Sequence, residues 1–225
     1  MRTIHSFITA GALLSAVSLP AFGASTLAEY AFNIDGTVSD YLLPAPPPAG
    51  VNIAGFNTGT GLGTIQMTMA GTGLHYGGVF LDHEIDEIIN TFFNETGAKS
   101  GAPSSGLSWE IDEPGWKTGD IFTNFGASNL DNTNSSLIPD DVSMALAWNF
   151  TLNPGETALL SFNVSETMPT SGFYLSQTDP ASQESLYFTS SLAVQGQSVP
   201  DAGSSLALLL CAMTGIVGWR SARKP

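Results

Sequence analysis

Cysteine is almost missing from this 225-residue chain, the single copy being Cys211 inside an apolar run near the carboxyl end. Everything upstream therefore folds without a disulfide, a thiol nucleophile or a cysteine zinc site. Positive charge is equally scarce. Six Lys and Arg stand against twenty Asp and Glu, a formal net charge of −14. Away from the two ends only Lys99 and Lys117 remain, while all the acids except Asp201 lie there. So acidic a surface repels nucleic acid phosphates and anionic lipid, which excludes a nucleic acid partner. Several catalytic patterns are also absent. No Gly-x-Ser-x-Gly elbow, phosphate-cradling loop, dinucleotide fingerprint or internal repeat occurs, and His83 lacks the second histidine of a His-Glu-x-x-His motif.

The two ends are processing segments. Residues 1–23 begin with Arg2, continue through an apolar stretch from Phe7 to Leu19, and reach Ala21 and Gly23 at the −3 and −1 positions of a signal-peptidase site. Cleavage is expected after Gly23, or else after Ala24. No cysteine lies near the site, so lipid modification of the new amino terminus is excluded. At the other end come Val199, Pro200, Asp201, Ala202, Gly203, Ser204 and Ser205, then the apolar run Leu206–Trp219, then Arg220, Arg223 and Lys224. As a helix that run would extend about 21 Å at ~1.5 Å per residue, short of the ~30 Å hydrocarbon core. Taken from Ser204 to Trp219 it is a marginal transmembrane helix, with the basic cluster held on the cytoplasmic side.

This polar motif, hydrophobic segment and basic end resemble the PEP-CTERM family of bacterial sorting tails, in the variant that begins Val-Pro-Asp. Ala202 departs from the small polar or glycine residue expected at its position. The resemblance covers residues 199–225 alone. It implies export, recognition by an exosortase-type membrane processing enzyme, and delivery to the cell surface or the exopolysaccharide matrix of a biofilm-forming bacterium. Insertion of the tail in the inner membrane would be transient if it is cut and lasting if it is kept.

Residues 24–198, about 175 in number, suffice for one domain with its own core. Period-2 alternation dominates. Val142, Met144, Leu146, Trp148, Phe150 and Leu152 share one strand face. After Asn153-Pro154-Gly155-Glu156, Ala158, Leu160, Phe162 and Val164 share another, which reads as a hairpin. Further strands are expected at Leu27–Ile34, Gly63–Met69, Leu74–Leu81, Leu107–Ile111, Gly172–Ser176 and Ser185–Val194. Ile85, Ile88, Ile89 and Phe92 recur at helical spacing, so Glu84–Phe93 is predicted to be a short helix. The expected fold is mainly β. It is a two-sheet antiparallel sandwich of jelly-roll or immunoglobulin-like type with one short helix, flanked by the signal helix and the tail helix.

Three constellations could carry chemistry. Asp82, Glu84, Asp86 and Glu87 offer oxygen ligands suited to calcium, although the Asp-x-Asp-x-Asp-Gly loop is missing and Asp86 and Glu87 would equally suit the first turn of a helix. Asp120, Asp131, Asp140 and Asp141 could supply a loop calcium site. Trp109, Glu110, Asp112 and Trp116 combine carboxylates with aromatic rings, as sugar-binding and glycosidase sites do. The competing reading places Trp109 in the core with the acids on a solvated face. The composition thus supports a non-enzymatic surface protein, with a carbohydrate-binding module or a glycan hydrolase as alternatives and with calcium as the one cofactor suggested.

Overall fold

The structure, a computed structural model, describes residues 25–41, 46–87, 91–115 and 117–196. The signal segment, the whole sorting tail and Trp116 lie outside the described residues. Among the described residues no helix is long and apolar enough to cross a membrane.

Among the described residues eleven strands form two antiparallel sheets. The first holds β1 (Ser25–Ile34), β2 (Thr37–Tyr41), β5 (Gly73–Ile85), β7 (Leu107–Asp112) and β8 (Ser143–Leu152), in the spatial order β2-β1-β5-β8-β7. The second holds β3 (Val51–Asn57), β4 (Leu62–Ala70), β6 (Thr96–Ser100), β9 (Thr157–Ser165), β10 (Tyr174–Thr178) and β11 (Ser185–Gln195), ordered β3-β4-β9-β11-β10-β6. One core fills the space between them. Tyr30, Phe32, Leu81, Trp109, Met144, Leu146 and Trp148 from the first sheet meet Met67, Leu160, Phe162, Val164 and Phe188 from the second. Period-2 alternation produces this directly, because every second residue of each strand points inward.

The expected hairpin across Pro154-Gly155 is corrected. Both runs are strands, but β8 pairs with β5 and β7 while β9 pairs with β4 and β11. The turn carries the chain from one sheet to the other, with Gly155 at φ 81° and Glu156 N–H donating to the Asn153 carbonyl at 3.1 Å. Each run is so apolar on one face that the two gain more by facing each other across the core than by pairing edge to edge. A true hairpin joins β1 to β2 through Asp35 and Gly36, both with positive φ, the backbone that tight two-residue turns require.

The predicted helix over Glu84–Phe93 is also corrected. Strand β5 runs on to Ile85, held by pairing of Glu84 with Thr26 and Ile85 with Ser25, and a 3-10 turn forms at Phe92–Asn94, while Ile88 and Ile89 lie outside the described residues. Among the described residues the α-helix is instead α1 (Ile121–Gly126), packed on the outer face of the first sheet. Its Ile121 and Phe125 join Ala31, Phe80, Ala145 and Ala147 in a second, smaller apolar cluster. Small residues on β1 and β8 leave room for it. Asn33 fixes the far end of the helix, donating from Nδ2 to the Phe125 carbonyl at 2.6 Å and to Ser128 Oγ at 3.1 Å.

Candidate functional site

Beyond α1, the outer face of the first sheet turns from apolar to acidic. Strand register explains the change. Glu29 of β1 stands opposite Asp82 of β5, Asp82 opposite Ser143 of β8, and Ser143 opposite Asp112 of β7. These four side chains therefore form one polar row across four strands. Glu84, two residues beyond Asp82, shares its face, and Asp141, two residues before Ser143, brings a third carboxylate to the same place.

Asp82, Glu84 and Asp141 converge, each offering a carboxylate oxygen within 4.8 Å of the others. All three are buried, and they line a pocket of about 440 Å³ together with Glu29, Glu113, Lys117, Phe92 and Phe93. Ser143 Oγ donates to Asp82 Oδ1 at 2.8 Å. By contrast Glu84 Oε2 and Asp141 Oδ1 are buried without any hydrogen-bond partner.

Burial and mutual repulsion hold these groups far from their ordinary carboxylate range. Burial first, then the neighbouring Asp82 and Asp141 charges, raise Glu84 to about 9. Burial, with the Asp82 and Glu113 charges behind it, raises Asp141 to about 7. Asp82 rises to about 6, burial outweighing the Ser143 hydrogen bond. Glu29 is pushed up to about 8 by burial and by sharing a hydrogen bond with Asp40. A group of acids arranged in this way takes up protons or a cation.

Glu113 has a different role. Its carboxylate accepts N–H bonds from Lys117 at 3.1 Å and from Thr118 and Gly119 at 2.7 Å. The Lys117, Thr118 and Gly119 amides thus converge on one carboxyl group, which also lines the pocket wall.

The structure redistributes the residues singled out in the sequence. Asp82 and Glu84 do converge, but Asp141 joins them in place of Asp86 and Glu87. Asp86 follows the end of β5 with φ 59°, and Glu87 is exposed. No local signal brings Asp141 to Asp82. Their proximity comes from the pairing of β5 with β8.

Trp109 is corrected as a sugar platform: at 6% exposure its ring lies in the core against Phe173, with Lys99 Nζ 5.8 Å from the ring centre. Glu110, on the opposite face, is also buried rather than solvated. It accepts from Asn124 Nδ2 of α1 at 3.0 Å and from the Asp131 N–H at 3.1 Å, so both its oxygens are engaged. Glu110, Asp120 and Asp131 form a second carboxylate group in which the buried member works as a clamp on α1. Asp112 is likewise occupied, accepting from the Glu113 N–H at 2.8 Å and the Asp120 N–H at 3.0 Å. His75 is satisfied at both ring nitrogens, by Asp35 Oδ2 at 2.9 Å and the Gly71 carbonyl at 3.2 Å.

A two-sheet β-domain bearing a buried acidic pocket and followed by a sorting tail defines the class. A family model described as the VPDSG-CTERM motif matches residues 198–223. The chain therefore carries a variant of the PEP-CTERM sorting tail, with Ala202 where that description has serine. Such a tail marks a protein exported to the cell envelope or surface and processed by an exosortase-type enzyme. Comparison with curated proteins and with solved structures gives no match.

Proposed function

We propose that this chain is a non-enzymatic component of the cell surface or exopolysaccharide matrix, a β-sandwich delivered by its tail. The observation that carries this reading is the VPDSG-CTERM match at residues 198–223. The state of the domain's polar groups supports the non-enzymatic part. Glu110 and Asp112, the acids suited to glycan hydrolysis, spend their oxygens on backbone and side-chain donors. His75 has no free ring nitrogen for base catalysis. A sugar-binding role loses its first platform with the burial of Trp109.

The test is made in cells. Removing residues 199–225 should abolish retention at the envelope, and disrupting the host exosortase should leave a longer precursor in the membrane fraction. Unchanged surface display in both cases would sink the reading. The non-enzymatic part is tested with host exopolysaccharide. Release of reducing ends that disappears in Glu110→Gln would overturn it.

A further inference from the structure

We propose that Asp82, Glu84 and Asp141 form a calcium site that fastens the end of β5 to the segment leading into β8.

The donor set is made of carboxylate oxygens alone, which suits a hard cation. His83 would draw a softer metal, but it sits between Asp82 and Glu84 on the strand, so its ring lies on the opposite, core face, beside Gly61. The three oxygens fall within 4.8 Å of one another. Ligands of a single calcium ion, each about 2.4 Å from it, stand no more than about 4.8 Å apart, so three oxygens this close can share one.

Independent of the clustering, two lone carboxylate oxygens point to a ligand. Glu84 is 8% exposed and Asp141 7% exposed, yet Glu84 Oε2 and Asp141 Oδ1 have no hydrogen-bond partner. A buried carboxylate oxygen without a partner is costly, and a bound cation removes that cost for both at once. Ser143 already orients Asp82. Lys117 lines the same pocket, but no ion pair joins it to Asp82, Glu84 or Asp141. Glu29, directly across from Asp82, lines the same pocket and adds a fourth carboxyl beside the three.

The pocket of about 440 Å³ has room for waters to complete the 6–8 oxygens that calcium takes. Three carboxylates in an open pocket correspond to the weak affinities of extracellular modules, with Kd about 10⁻⁴–10⁻³ M. The site would then be filled outside the cell, a clause that rests on the proposed delivery to the surface. There it would tie together residues nearly sixty positions apart in sequence.

The experiment uses the full chain in detergent, stripped with EDTA. Equilibrium dialysis with radioactive calcium should show about one ion per chain, with Kd in the range above. Addition of 5 mM calcium should raise Tm by a few degrees, an effect EDTA reverses. Asp141→Asn, which preserves shape and removes charge, should weaken binding at least tenfold, while Glu110→Gln should leave binding unchanged. Should the Asp141 variant fail to fold, Glu84→Gln gives the same reading. No bound calcium at 10 mM, equal affinity in Asp141→Asn and wild type, or an equal response to magnesium would each overturn the assignment. The dialysis needs no processing enzyme, so its failure leaves the sorting reading standing.

Discussion

His83 fills the space that a side chain at Gly61 would need. Its Nε2 lies 3.2 Å from the Gly61 carbonyl oxygen, and a Cβ built on Gly61 would fall 2.0 Å from that nitrogen. The ring is fully buried, and burial lowers its pKa to about 4, so it stays neutral with Nε2–H donating to the carbonyl. The loop between β3 and β4 is thereby held against β5 from the second sheet's side.

Gly61→Ala should therefore be far costlier than an ordinary glycine replacement. At φ +69° the backbone alone disfavours alanine by about 1–2 kcal/mol, and displacing a packed ring adds roughly 1–3 kcal/mol. Gly36→Ala provides the comparison, with φ +83° and nothing within 4 Å of the added carbon. Urea midpoints should show the Gly36 variant losing only the backbone share. Equal losses would show that the His83 contact contributes nothing.

Asn33 should be the residue on which the docking of α1 most depends. It is fully buried, donates to the Phe125 carbonyl and Ser128 Oγ, and accepts from the Gly36 N–H at 2.9 Å. Asn33→Ala should cost about 1–3 kcal/mol, because it removes a buried side-chain donor to the Phe125 carbonyl and Ser128 Oγ, although that carbonyl keeps the Ser128 N–H at 3.1 Å. Hydrogen exchange should show faster opening of residues 121–128 than of β5.

Stability should fall as pH rises, with Glu110 one identifiable source. Burial raises it to about 7, against the hydrogen bonds from Asn124 and the Asp131 N–H; Asp131, Asp120 and Tyr76 also face it. A carboxyl whose folded pKa is raised binds more protons in the folded state. Its contribution is complete below the unfolded value of about 4.3 and is lost as pH climbs through about 7. Thermal melts in EDTA at pH 5, 7 and 9 should show declining Tm. Glu110→Gln should flatten the decline between pH 5 and 7, and a slope equal to wild type would contradict this.

Within the tail, Ala202→Ser restores the residue in the VPDSG description and should leave sorting intact. Pro200→Ala together with Asp201→Ala should leave the precursor uncut, read as retained mass on a denaturing gel. Normal processing of the double variant would show that Pro200 and Asp201 are not the residues recognised.

Much of the molecule was legible along the chain. The β character, the inward faces of β8 and β9, and the burial of Trp109 with its neighbour Ile111 all follow from period-2 alternation, which each strand expresses locally. Helical position is not legible in the same way, because Ile85, Ile88, Ile89 and Phe92 imitate helical spacing while strand pairing claims Ile85. Six residues of α1 are too few to show a period at all. Strands β2, β3 and β6 carry no such alternation because they are short or rich in glycine and polar residues.

The sequence by itself determined the destination, since a sorting tail is read as a linear motif, and it determined that the domain is β, acidic and free of disulfides. Only the tertiary structure decided which acids meet. Asp82 and Glu84 are neighbours on any strand, but Glu29 and Asp141 reach them through the pairing of β1 and β8 with β5. Register between distant strands is set by how two sheets bury their apolar faces together, and no window of sequence contains that information.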